Sequence, residues 1–202
     1  MTLKGRVGVF GGAFDPPHNA HLDVALEALH QFELASVVFV PNGVPPQRPE
    51  PLGGSAEDRF DMVVAMIAGH PQLAASRIEI DRKGPSYTID TIRVMREDYP
   101  LGLCFILGAD RLATIGSWRE AGALLREVPL LVAPRAGMPL SSMRGPLYDG
   151  ASIHVLSMRE IDLSSSAVRS AVGEGRSIGR WVPPGVAAII KTRGLYRRDE
   201  SG

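Results

Sequence analysis

Apolar and polar positions along this chain follow two rhythms that take turns. Short continuous apolar runs occur at 6–10 (RVGVF), 36–40 (SVVFV), 103–108 (LCFILG), 129–134 (PLLVAP) and 152–157 (SIHVLS). Runs of this length, rich in β-branched and aromatic residues, predict strands buried on both faces. RIEI at 77–80 predicts a further short strand. Between these runs the apolar positions recur every three to four residues, the spacing of one helix face. Leu22, Ala25, Leu26 and Leu29 form one such stripe, Phe60, Val63, Val64 and Ile67 a second, and Ile89, Ile92 and Met95 (within 86–98) a third. Ser55 is placed to cap the helix at 56–69, and Gly69 to stop it. Residues 109–128 predict a helix in two pieces around Gly116. Two closing helices follow at 165–175 and 183–194, the second with Pro183 and Pro184 at its entrance and Gly194 at its exit.

Alternating strand and helix predict an α/β fold: a Rossmann-like, doubly wound parallel sheet with helices on both faces. The C-terminal helical portion, about 160–196, is read as a small part of one domain spanning 1–202. Ligands of such sheets sit beyond the carboxyl ends of the strands. That directs attention to the loops after residues 10, 40, 108 and 157. Residues 41–55 hold five prolines and three glycines, which bars helix and sheet interior and predicts a long, functional loop.

Composition narrows the function classes. The 22 basic and 22 acidic residues cancel, so there is no basic surplus for a sequence-independent grip on nucleic acid. Aromatics are sparse at 6%. No apolar run approaches the roughly 20 residues of a membrane span, and no signal segment opens the chain. A cytoplasmic protein is expected, free of nucleic acid and membrane partners, with homo-oligomerisation left open. The single cysteine, Cys104, excludes an internal disulfide and reads as a buried strand residue.

The chemistry concentrates in GVFGGAFDPPHNAH (8–21). Gly11 and Gly12 let backbone pass close to a ligand. His18 and His21 fall at the start of the next helix, roughly one turn apart, where free N–H groups and the helix dipole favour an anion. Both imidazoles can aim at one phosphate. The glycine spacing is not that of a dinucleotide fingerprint, and no Walker lysine follows. Such a pair can also cap a helix, pack in the core or help hold zinc, although no third ligand is evident nearby. LSSSAVR (163–169) predicts a second helix N-terminus, capped by Ser164 or Ser165, with Arg169 one turn later to grip phosphate. LGAD (107–110) ends the central strand. Gly108 permits close approach there, and Asp110 can accept hydroxyl hydrogen bonds or cap the next helix.

GGAFDPPHNAH resembles the signature of the nucleotidyltransferase superfamily with the (His/Thr)-x-Gly-His motif, Ala20 standing where the family has Gly. LSSSAVR resembles the superfamily's second motif, Ile-Ser-Ser-Thr-x-Ile-Arg. VPNGVPPQRPEP (40–51), KGPSYTIDT (83–91), GADRLATIGSW (108–118) and VPPGVAAIIKTRGLY (182–196) resemble the bacterial nicotinate-mononucleotide adenylyltransferases. The resemblance implies AMP transfer from ATP to nicotinate mononucleotide in NAD biosynthesis. The products are nicotinate adenine dinucleotide and pyrophosphate. It implies catalytic roles for His18, His21 and Arg169. ATP would meet these three together with Gly11, Gly12, Phe14, Asp15, Gly108, Asp110, Ser164 and Ser165. The mononucleotide would meet Ser86, with Tyr87 and Thr88 at its carboxylate, Trp118 at its ring, and Arg48 and Arg135 at its phosphate. Gln47 and Ala136 depart from the family pattern. Mg²⁺ is expected on the ATP phosphates, with no protein metal site. The alternatives are a sister adenylyltransferase acting on nicotinamide mononucleotide or phosphopantetheine, and a non-catalytic nucleotide sensor.

Overall fold

The structure, a computed structural model, describes residues 2–44, 52–135, 137, 145–160 and 162–197. The described strands are β1 (Val7–Gly12), β2 (Ser36–Pro41), β3 (Leu73–Ala75), β4 (Leu103–Gly108), β5 (Leu130–Ala133) and β6 (Ile153–Val155). They form one sheet in the order β3-β2-β1-β4-β5-β6, and every neighbouring pair is parallel. The chain winds outward from β1 to β3, then returns to lay β4 on the other side of β1. Val9 consequently faces Val38 on one side and Phe105 on the other. The switch in winding direction between β1 and β4 opens a crevice at the carboxyl ends of these strands, as this topology requires.

Side chains along each strand alternate between two cores. Phe10, Val37, Phe39, Cys104, Ile106 and Leu131 point to one face. Val9, Val38, Val40, Phe105, Leu107 and Val132 point to the other. The first face is covered by α1 (Asn19–Phe32), α2 (Ala56–Ile67), α6 (Ser165–Gly173) and α7 (Pro184–Thr192), through residues such as Ala25, Met62, Val168 and Val186. The second is covered by α3 (Thr88–Arg96), α4 (Ala109–Ala113) and α5 (Ala121–Glu127), through Ile89, Leu112 and Leu124. The doubly wound sheet read from the apolar rhythm is therefore the fold.

Three details differ from the sequence reading. RIEI is not a strand. The third strand is Leu73–Ala75, and 77–81 closes as a turn through the Asp81 N–H to Arg77 carbonyl bond. The turn carries a polar anchor: the Glu79 carboxylate is buried and accepts from Asn42 and Thr91. Val64 is 45% exposed, because α2 turns Arg59, Met62, Val63, Met66 and Ile67 inward instead. Helix α1 buries the small residues Ala20, Ala25 and Ala28 with Val24, and its leucines lie at the border of that stripe. Small side chains let the helix approach the sheet closely. Ser55 does cap α2: its hydroxyl accepts the Asp58 N–H while the Asp58 carboxylate accepts the Ser55 N–H.

Candidate active site

A cleft of about 510 Å³ lies over the β1/β4 switch. Its floor and walls come from the turn after β1, the ends of β4 and β5, the entrance of α3 and the start of α6. Among the described residues, every residue expected at the site lines this cleft. Arg48, with Gln47, lies outside the described residues, as does Ala136. The lining from the last segment begins at Leu163, beyond the loop after 157.

The turn after β1 is built on aromatic packing. A Cβ at Gly12 would meet the Phe14 ring at 3.0 Å, and one at Gly11 the Phe105 ring at 3.2 Å. Glycine at these positions thus makes room for the rings that support the turn. Phe14 takes a left-handed backbone, φ 50°, and sets its ring edge-on to Phe10 and to His21, with centroids 5.6 and 5.0 Å away. The Asp15–Pro16 bond is cis.

His18 is the N-cap of α1 in extended conformation, and His21 stands one turn on. Their rings stack, 3.8 Å apart with 26° between planes. The His21 Nδ1 accepts the His18 backbone N–H at 3.2 Å, which leaves the neutral ring's proton on Nε2 as a donor. Among the described residues the buried His18 Nδ1 has no hydrogen-bond partner, which makes it an atom fit to meet a ligand. Burial, and then the nearby Arg135 charge, push the His18 pKa down to about 4. Burial and the neighbouring His18 hold His21 well below the ordinary histidine value. Both rings are neutral at neutral pH and offer hydrogen bonds rather than full charges.

The second motif meets the first. The Ser165 hydroxyl donates to the Pro16 carbonyl at 2.8 Å, and Arg169 donates to the Asp15 carbonyl at 2.7 Å. Ser164 caps α6, accepting the Ala167 N–H. Two helix N-termini therefore open onto one cleft, with paired imidazoles at one and a guanidinium at the other. The Asp15 carboxylate does not face outward. It is 1% exposed and accepts the N–H groups of Gly53 and Gly54, each at 2.9 Å. On the β4 side Asp110 pairs with Arg135 at 3.2 Å. A Cβ at Gly108 would sit 2.5 Å from the Asp110 Oδ1, so a larger residue there would displace this carboxylate.

At the α3 end, Ser86 accepts the Gly43 N–H, Tyr87 occupies the N-cap position of α3 without a side-chain capping bond, and Thr88 opens the helix. Trp118 stands edge-on to Phe105, 6.2 Å between centroids. Arg119 lies over the Tyr87 ring at 4.7 Å and lines the same end. Sequence reasoning missed Arg119, and it missed Arg59. The latter is 1% exposed and donates to the carbonyls of Ala13, Asn42 and Gly54 at 2.7, 2.6 and 3.3 Å. It ties the turn after β1 to the start and end of the 41–55 segment. A charge at a position in register with the buried stripe Met62, Val63 and Met66 was its signal.

A model of the cytidylyltransferase-like family matches residues 9–171, the span from β1 to α6 that holds both motifs. The chain belongs to this family. Relatives of this family member include two proteins named "Probable nicotinate-nucleotide adenylyltransferase". That of Acidothermus cellulolyticus is 40% identical, covering 98% of each chain. That of Rubrobacter xylanophilus is 39% identical, covering 96% of this chain and 93% of its own. The fold is shared with the Plasmodium falciparum nicotinic acid mononucleotide adenylyltransferase complexed with NaAD. That match has a TM-score of 0.78 at 18% identity, over 95% and 97% of the two chains. In this cytidylyltransferase-like chain the two motifs are in contact and the cleft lies at the switch point.

Proposed function

We propose that the protein transfers the adenylyl group of ATP to nicotinate mononucleotide, forming nicotinate adenine dinucleotide and pyrophosphate. The observation that carries this is the meeting of two helix N-termini, two imidazoles and Arg169 on one cleft. An acceptor phosphate is already anionic near neutral pH, so its oxygen attacks the α-phosphorus directly. The bond from that phosphorus to the bridging oxygen breaks, and the electron pair leaves with pyrophosphate. No enzyme nucleophile and no general base are needed. Catalysis is positioning, together with donors aimed at charge that spreads over the phosphoryl oxygens. In this reading His18, His21 and Arg169 supply those donors, and Ser164 and Ser165 order the second helix end.

Trp118 offers a flat face to the pyridine ring. Ser86, Tyr87 and Thr88 meet its carboxylate, and Arg119 brings positive charge to that end of the cleft, which favours a carboxylate over a carboxamide. Arg135 and Arg48 complete the grip on the mononucleotide phosphate. Among the described residues no group of three or more His, Cys, Asp and Glu side chains could hold a metal ion. The cleft's carboxylates are already occupied by Gly53, Gly54 and Arg135. These residues suit a Mg²⁺ carried on the triphosphate and water, where the ion offsets phosphate charge. No described helix is long and apolar enough to cross a membrane, in keeping with a cytoplasmic setting.

The test is a pyrophosphate-release assay with ATP, Mg²⁺ and each acceptor in turn. Turnover is expected with nicotinate mononucleotide, at least tenfold above that with the amide mononucleotide or phosphopantetheine. Preference for either of the latter, or tight ATP binding with no pyrophosphate, would overturn the reading.

A further inference from the structure

We infer that Tyr196, near the end of the described chain, is a positioning residue whose hydroxyl keeps Arg169 directed to the cleft. The inference rests on the adenylyltransferase reading above, and its argument begins at Asp15. This buried carboxylate takes the Gly54 N–H and the Tyr196 O–H on Oδ1, each at 2.9 Å, and the Gly53 N–H on Oδ2. Arg169 comes no closer to that carboxylate than 3.6 Å. Its Nη1 donates to the Asp15 main-chain carbonyl at 2.7 Å, and its Nη2 to the Ser166 hydroxyl at 3.2 Å.

A guanidinium beside a buried carboxylate gains most by closing on it as a two-pronged pair. Here that would turn its donors from a phosphate to Asp15. Donors already seated on both Asp15 oxygens weaken the pull. The Tyr196 hydroxyl is the one among them that arrives from 181 residues away. Its ring fixes the same junction: a Cβ on Gly53 would meet that ring at 2.8 Å and the Arg169 Cδ at 3.3 Å. Burial, and then the Asp15 charge, push the Tyr196 pKa up, so the hydroxyl remains a donor over the whole working pH range.

Tyr196→Phe removes this one donor and keeps the ring. In calorimetric titration with a non-hydrolysable ATP analogue it should weaken binding about fivefold to tenfold, the size of coupling found between contacting groups. In an Arg169→Ala background the same change should cost less than twofold. In turnover, kcat/KM for ATP should fall while the KM of the mononucleotide stays within twofold. Titrations are run at about 10 °C, near the temperature at which domain stability is typically greatest. Unchanged analogue binding would overturn the inference. So would an equal loss with and without Arg169, or an equal rise in both KM values, each of which marks a packing role only. The binding arm needs no acceptor, so failure of the adenylyltransferase reading, seen as wild-type protein that releases no pyrophosphate, is distinguishable from failure of this inference.

Discussion

The paired histidines owe their properties to where the turn after β1 puts them. Their sequence spacing predicted two rings one turn apart on a helix start. The structure adds that the rings stack and that burial keeps both neutral. Two adjacent cations would repel each other and need a counter-ion before substrate arrives, whereas two neutral rings can sit together and still donate to phosphate. His21→Ala removes one donor and the acceptor for the His18 N–H. Steady-state kinetics should show kcat lowered by about 10²–10³, the range for losing one preorganised donor. Urea unfolding should show a loss of about 1–3 kcal/mol, from the unpaired His18 N–H, too small to unfold the protein. Near-normal turnover would refute the role.

At the scale of elements, the caps were legible and the edges were not. Ser55 and Ser164 stand before their helices in the sequence and cap them in the structure. A cap is a local interaction, set by residues within three positions of each other. Replacing Ser55 by Ala removes one half of a reciprocal box. It should cost about 1 kcal/mol and lower Tm by about 2–4 °C for a chain of this size, as calorimetry can check. The misplaced third strand has the opposite origin. RIEI has a strand's alternation, but Glu79 is drawn into a hydrogen-bond network with Asn42 and Thr91, twelve or more positions away. No window of local sequence carries that information.

For the molecule as a whole, buried ionisable groups set the response to pH. The His18 pKa lies at about 4 in the folded protein, against 6.5 without burial. Between these values the unfolded chain binds the proton and the folded one does not. Stability therefore rises with pH across this window and is lost as pH falls from 6.5 toward 4. From pH 6.5 to pH 5 the loss from His18 alone is about 1.5 kcal/mol, and His21 adds to it in the same direction. Urea titrations at the two pH values should show the difference, and His18→Gln should reduce it. A flat profile would mean that the ring is not held neutral. Arg59 belongs to this scale too, since one buried cation holds together three carbonyls from three separate stretches.

The sequence by itself determined the helices, five of the six described strands, the parallel sheet, both helix-entrance motifs and most of the cleft lining. These follow from periodicity, from caps and from short motifs that resemble a known family, all of which are local in the chain. Tertiary structure alone decided the contact between the motifs, the neutrality of the histidines, the inward turn of Asp15 and the roles of Arg59 and Tyr196. Each of those depends on which distant groups share a low-dielectric interior, where burial and hydrogen-bond supply fix charge and direction.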